Sequence, residues 1–187
     1  SSVFDVHEPI IGHIKNGVVT GIECNYMGAK VGKAISEGIM DKPVVFRSHG
    51  GRASDMEKGT SKIDIAFIAA PTSDDMGNCT GKFGKSACGS IGYAFADAMN
   101  AKKVVVITDN LVEYPLVDFS IPEVYVDYVV AVDQIGDPAG IVSGTTKITR
   151  DPVGLKMASY AAKVIDASGL LKDGFSFQTG AGGASLA

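Results

Sequence analysis

Two arginines flank a histidine and two glycines in Arg47-Ser48-His49-Gly50-Gly51-Arg52. A guanidinium can grip a carboxylate or phosphate through two parallel N–H bonds, and glycine lets a backbone come close to a ligand. His49 can donate a proton or hydrogen-bond a carbonyl. The same stretch also suits a plain glycine turn with solvated arginines and a structurally bonded histidine. A second polar stretch, Pro71 to Asn78, carries Asp74 and Asp75 ahead of Gly77-Asn78, a turn pair. These carboxylates can act as acid or base, although such side chains commonly accept hydrogen bonds from their own loop.

A third stretch, Thr179 to Ser185, reads Gly-x-Gly-x-x-Ser from Gly180. It lacks the last glycine of the dinucleotide fingerprint. A glycine turn leading into a helix still offers backbone N–H groups to an anion or oxyanion. A fourth, Gly84-Lys85-Ser86, matches the tail of a phosphate-binding loop. Cys79 stands where that loop's first glycine belongs and no strand leads directly into it, so a nucleotide-triphosphate site is not expected. His7 and His13 read as surface or capping residues. Cys24, Cys79 and Cys88 form no C-x-x-C pair and read as free thiols, and no metal site is expected from their spacing. Asn78-Cys79-Thr80 matches a glycosylation sequon, which has no meaning in a cytosolic protein.

The elements that must position these residues follow from short, continuous, β-branched apolar runs. Strands are expected at Val18–Ile22, Pro43–Arg47, Ile63–Ala69, Lys103–Thr108 and Tyr128–Val132. Continuous rather than alternating hydrophobicity predicts strands covered on both faces, as in a parallel sheet between helices. Helices are expected at Ala29–Glu37, with Gly38 as its stop, at Ile91–Met99, and at Pro152–Asp166 behind the N-cap Asp151. Residues 134–150 read as a connector. A further unit begins near residue 175, with Phe175–Gln178 as a strand, Gly180–Gly183 as a turn and Ala184–Ala187 as the start of a helix. The alternation argues an α/β fold with a mostly parallel open sheet flanked by helices. Ligands of such sheets bind beyond the carboxyl ends of the strands, where the polar loops above fall.

The chain has 187 residues, 45% hydrophobic and 20% charged, with a net charge of −4. There is no basic stripe for nucleic acid. No apolar run approaches the ~20 residues of a membrane span, and Ser1 to His7 does not read as a signal peptide. A cytoplasmic protein is the expectation.

Taken in order, "RSHGGR", "IDIAFIAAPTSDDMGN", "GKSACGSIGYAFADAMNAKKVVVIT" and "GFSFQTGAGGASLA" closely resemble the citrate lyase α chains, the citrate CoA-transferases. The pattern Pro71, Asp74, Gly77, Asn78 also recurs in the wider CoA-transferase superfamily. The resemblance implies a CoA-transferase-like fold of two similar halves. Residues 1–150 are then most of the first domain, without its first strand–turn–helix unit, and residues 151–187 are a linker helix and the start of the second domain. It implies an internal piece of a longer protein, with the catalytic residue outside it; the glutamate nucleophile of related CoA-transferases falls beyond Ala187. The implied activity exchanges acetyl for citryl on an acyl-carrier-protein or CoA thioester, by direct attack of a citrate carboxylate. Citrate or a close homologue such as citramalate is the implied acceptor. The implied partners are the lyase β chain and the γ acyl-carrier chain with its dephospho-CoA-like group, citrate and acetyl-CoA. No cofactor is bound covalently, and any magnesium belongs to the cleavage step on the β chain. The roles implied here are carboxylate compensation by Arg47 and Arg52, substrate hydrogen bonds from Ser48, His49 and Asn78, backbone approach at Gly50 and Gly51, and thioester contacts from Gly180, Ala181, Gly182 and Gly183. His49 is the catalytic candidate within the segment. A nicotinamide-dependent oxidoreductase and a non-catalytic ligand-sensing domain are the alternative classes.

Overall fold

The computed structural model describes residues 2–140, 148–178, 180 and 182–187. They fall into two compact units, Ser1–Ile135 and Gly136–Ala187.

The first unit opens with β1 (Ser2–Val3) and α1 (Ile10–Lys15). Helix α1 closes where Gly17 takes φ +69 and the Val18 and Val19 amides bond back to the His13 carbonyl at 2.9 and 3.1 Å. These bonds are the reason Val18–Ile22, expected as a strand, is not one. Its first backbone donors finish the helix end, and sheet pairing starts only where Val45 N reaches the Ile22 carbonyl. Next come β2 (Glu23–Cys24), β3 (Tyr26–Met27), α2 (Ala29–Ser36) and β4 (Val45–Phe46). Strand β3 pairs in parallel with β1, and β4 with β2. A Cβ on Gly28, the residue before α2, would sit 2.5 Å from Asp5 Oδ1. The glycine lets Asp5 approach and accept from Lys30 N at 3.1 Å, so a distant carboxylate caps the helix.

Helix α3 (His49–Glu57) is the main departure from the expected elements. The stretch read as a glycine turn is a helix from its third residue on. Ser48 Oγ accepts from Gly51 N at 3.0 Å, and this cap offsets the poor helix propensity of two glycines.

The centre of the unit is β5 (Ile63–Ala69), followed by β6 (Thr72–Asp74), β7 (Cys79–Thr80), α4 (Gly92–Asn100), β8 (Ala101–Thr108), β9 (Leu111–Val112) and β10 (Tyr128–Ala131). The parallel order is β10-β8-β5, with Ile63 opposite Ala101 and Ala69 opposite Ile107. A smaller sheet, β7-β6-β9, contains the one antiparallel pair of strands among the described residues, β6 with β7, and Cys79 of β7 also bridges Ile121 antiparallel. Ala66, Ile68, Val104 and Val106 are buried with Ala98 of α4. The expectation of two covered faces is corrected for the described residues. On the opposite side of β5, Ile65 and Phe67 remain 52% and 69% exposed, because α4 lies on one face only.

Asp74 ties the loop after β5 into a knot. Its Oδ1 accepts from the amides of Met76, Gly77 and Asn78, and its Oδ2 from Leu116 N and Asn78 Nδ2, all within 3.1 Å. Burial by itself would raise this carboxyl. The bonds from Leu116, Asn78 and Gly77 outweigh it and hold the pKa below its ordinary value.

In the second unit, α5 (Pro152–Ala167) begins as expected, with Asp151 Oδ2 accepting from Gly154 N at 2.7 Å. Phe175–Gln178 is not a strand. Phe175 and Phe177 stack side by side at 5.7 Å, as residues two apart in extended chain do, but no described segment pairs with them. Ser185 N and Leu186 N both bond to the Gly182 carbonyl, which makes a single helical turn rather than a helix.

Asp74→Asn should cost about 1–3 kcal/mol near neutral pH, because buried amide donors lose their charged acceptor. Asp74 contributes its full stability above the ordinary carboxylate value of 3.8, and that contribution is lost as pH falls through the lower folded value. Denaturant titrations of wild type and variant at neutral pH and at about pH 3 should therefore show a smaller gap at acid pH. An equal gap at both would contradict this role.

Candidate functional site

The loops at the carboxyl ends of the parallel strands converge on the first turns of two helices. Helix α3 follows β4, so its N-terminus lies at the carboxyl end of the β2-β4 pair. Helix α4 leads directly into β8 of the separate β10-β8-β5 sheet, and Ile91 at its start lies beside Gly81, just past β7. The two helices run side by side in the same direction. His49 stacks on Tyr93 at 5.0 Å with 13° between the rings, and one turn further Arg52 pairs with Asp97. Their positive dipole ends therefore lie together. Asn25, the residue after β2, joins them: its Nδ2 donates to His49 Nδ1 at 3.1 Å and to Tyr93 Oη at 3.2 Å, while its Oδ1 accepts from Ser2 Oγ at 2.9 Å.

The expected site residues divide by what they already touch. Ser48 is spent on capping α3. A Cβ on Gly51 would stand 2.7 Å from Ser48 Oγ, so a side chain there has to displace the cap, whereas a Cβ on Gly50 would meet nothing within 4 Å among the described residues. Arg47 pairs with Asp55 of α3 and with Glu23 of β2. Arg52 pairs with Asp97 at 2.5 Å, and its Nη1 is buried with no partner among the described residues. Both guanidiniums thus neutralise carboxylates of their own chain, and both brace α3.

Asn78 is engaged within its own chain. It is buried, its Nδ2 donates to Asp74 Oδ2 and to Glu123 Oε2, and its Oδ1 accepts from Glu123 N at 3.0 Å. Both N–H donors of the amide are used, and its oxygen accepts one bond. Cys24 and Cys79 are buried free thiols, and burial followed by the Asp74 charge pushes Cys79 up to about 12. Neither presents a thiolate.

Sequence reasoning did not single out Asn25, Tyr93 or Asp109. Asn25 was reachable by the strand-end rule had the strand been placed at Glu23–Cys24. Tyr93 lies in a helix whose start was seen but whose neighbour was read as a turn. Asp109 is the first residue after β8, and its side chain is fully buried. Its Oδ2 accepts from Ser86 Oγ at 3.0 Å and Ile135 N at 3.1 Å, and its Oδ1 has no partner among the described residues. Burial favours its neutral form, but the bonds from Ile135 and Ser86 and the Lys85 charge together hold its pKa below the ordinary value.

In the second unit, a Cβ on Gly180 or Gly182 would meet nothing nearer than Ser185 Oγ at 3.7 Å among the described residues. The Gly183 carbonyl accepts from Thr149 N at 3.0 Å. Ala181 lies outside the described residues. Among the described residues, no group of three or more His, Cys, Asp or Glu side chains could hold a metal ion, and no helix is long and apolar enough to cross a membrane.

Comparison with known proteins adds the following. The family model described as citrate lyase, alpha subunit, matches residues 1–187. The chain is 48% identical to the citrate lyase alpha chain of Klebsiella pneumoniae and 49% identical to that of Haemophilus influenzae, each over its whole length. It spans 37% of the length of these curated relatives. A crystal structure of a citrate lyase alpha subunit from Streptococcus mutans, in complex with citrate, superimposes with a TM-score of 0.85 at 57% identity, covering 100% of this chain and 36% of that one. A malonate decarboxylase alpha subunit from Acinetobacter baumannii shares the fold at a TM-score of 0.57 and 19% identity, over 91% of this chain and 31% of its own.

A double-mutant cycle tests whether Arg52 is spent on its partner. Arg52→Ala and Asp97→Ala should each destabilise the full-length protein, with a coupling energy of at least about 1 kcal/mol in urea titrations. Strictly additive losses would mean that Arg52 is held for something other than Asp97.

Proposed function

This chain belongs to the citrate lyase alpha subunit family, and from that membership we propose that it forms part of an acyl-exchange enzyme, a citrate CoA-transferase. In the proposed reaction a citrate carboxylate oxygen attacks the carbonyl carbon of an acetyl thioester. The C–S bond breaks, the carrier leaves as thiolate, and a mixed anhydride remains. The thiolate then attacks the citryl carbonyl, the anhydride C–O bond breaks, and acetate departs. The products are citryl thioester and acetate, and no bond to the protein forms.

The observation that carries this reading is the meeting of the α3 and α4 N-termini at His49, Tyr93 and Asn25. A carboxylate in the ground state and an oxyanion in the tetrahedral state both gain from N–H groups and positive dipole ends. The N-terminal amides of α3 are such donors, apart from Gly51 N, which Ser48 occupies. His49 is the side chain placed to hydrogen-bond the acceptor acid. Arg47 and Arg52 act one step back, holding α3 against β2 and α4. This local arrangement has to outweigh a net charge of −4, which repels a tricarboxylate. The Streptococcus mutans relative, a complex with citrate, supports citrate as the acceptor.

The remaining assignments rest on family membership. The glycine turn at Gly180, Gly182 and Gly183 is proposed to contact the thioester end of the carrier. The partners proposed are the β chain, which cleaves the citryl group, and the γ chain, whose dephospho-CoA-like arm carries the acyl group as substrate.

Acetate release from acetyl-CoA in the presence of citrate, measured on the full-length protein, is the test. His49→Ala should lower kcat/KM for citrate by about tenfold or more while leaving the fold intact, the loss of one hydrogen bond to a charged group. Gly182→Val should fold, since nothing crowds the added Cβ, yet slow exchange by at least about a hundredfold if its amide serves the oxyanion. Near-normal exchange in a folded Gly182→Val protein would make the turn a plain connector. Full-length protein that releases no acetate would sink the exchange reading itself.

A further inference from the structure

The Gly84-Lys85-Ser86 segment is the chemically suggestive stretch that the proposed function leaves unused. It lies across the carboxyl ends of all three central strands. Gly84, at φ +92, passes so close to the loop after β5 that a Cβ would stand 2.6 Å from the Pro71 carbonyl oxygen and 3.4 Å from Asn110 Cβ. Ser86 Oγ donates to Asp109 Oδ2 at the end of β8. Lys85 Nζ donates to the Asp133 carbonyl just past β10, and stands 3.7 Å from Asp109 Oδ2.

Two observations separate Lys85 from the other cations of this edge. Arg47 and Arg52 are each engaged by carboxylates and are three-quarters or more buried. The Lys85 side chain is 51% exposed, its carboxylate partner is beyond hydrogen-bond length, and an ammonium has three N–H donors, of which the Asp133 carbonyl takes one. The second observation is Asp109. Its side chain is fully buried, yet Oδ1 has no partner among the described residues. An asparagine could still accept from Ser86 and Ile135 through one oxygen, more weakly and without the charge. What the carboxylate adds is a negative charge, and the cation beside it is Lys85.

We propose that Lys85 is a ligand-contacting cation at this sheet edge, receiving an anionic oxygen, with Asp109 as the residue that positions it. Resting on the acyl-exchange reading, the oxygen belongs either to a citrate carboxylate or to a phosphate of the CoA-like carrier arm. Both are anions that a lysine ammonium binds as a point charge. Gly84 and Ser86 fix the segment so that the ammonium stays at the strand ends, where ligands of open α/β sheets bind.

The test uses full-length protein carrying Lys85→Gln, Lys85→Arg or Asp109→Asn. Calorimetric affinities for citrate and for CoA are measured separately, with melting curves and acetate release on the same samples. Lys85→Gln should weaken one of the two ligands by about tenfold or more, with the melting temperature within about 2 °C of wild type. Lys85→Arg should restore most of the affinity, and Asp109→Asn should weaken the same ligand by a smaller factor. A loss confined to citrate identifies the carboxylate, and a loss confined to CoA identifies the phosphate. Unchanged affinity for both ligands in Lys85→Gln overturns the proposal, as does a wild-type protein that binds neither. If Asp109→Asn does not fold, the two Lys85 variants decide alone. Wild-type protein that binds a ligand but releases no acetate defeats the exchange reading while leaving the Lys85 comparison decisive.

Discussion

The parallel pairing of β5 with β8 is the constraint on which the rest of the first unit depends. The strands stay in register from Ile63 opposite Ala101 to Ala69 opposite Ile107, and Ala70 N extends the ladder to the Ile107 carbonyl. Two strands that point the same way and end at the same level deliver their loops to one edge. The loop after β5 brings Asp74, and the loop after β8 brings Asp109 and Asn110. Those loops pair again as β6 and β9, so the edge is itself ordered rather than loose. Since α4 connects back to β8, its N-terminus is carried to the same place. A slip of one residue would turn Val104 and Val106 outward and move every group at the edge.

Carboxylates organise that edge in two ways. Asp74 is saturated by backbone and amide donors, and its charge is consumed by the turn it closes. Asp109 is half saturated, with one oxygen bonded and the other bare. The arginines follow the same division. Arg47 and Arg52 look in sequence like a pair waiting for an anion, but their charge is met by Asp55, Glu23 and Asp97. The anion contacts proposed above are therefore the pair of helix ends and the Lys85 ammonium. Neither depends on global charge, which is negative.

Much of the architecture was legible from residue order. The run Ile63–Ala69 became β5 unchanged, and Lys103–Thr108 and Tyr128–Val132 became β8 and β10 with shifts of two and one residues, because long β-branched stretches between turn residues have few other options. Asp151-Pro152 marked the start of α5, since cap and first turn are local chemistry. The α/β class and the resemblance to citrate lyase alpha chains came from the same string. The errors lie where a distant group decides. Val18–Ile22 lost its strand to the helix end before it, and Phe175–Gln178 is extended but has no described partner to make it a strand. Arg47–Arg52 was read as a turn because two glycines argue against helix, and a single serine cap reversed the balance.

The sequence by itself determined which residues are apolar enough to be strands, which caps start helices, and which polar groups follow each strand. These depend on neighbours within a few positions, where propensity and hydrogen-bonding range suffice. Only the tertiary structure decided that His49 stacks on Tyr93, that Asn25 joins them, that Arg52 meets Asp97, and that Lys85 and Asp109 share one edge. Those pairs are separated by 24 to 68 positions in the two bonds of Asn25 alone. Their meeting is set by the parallel register of the sheet and the packing of α3 along α4, and neither is written in any local stretch of chain.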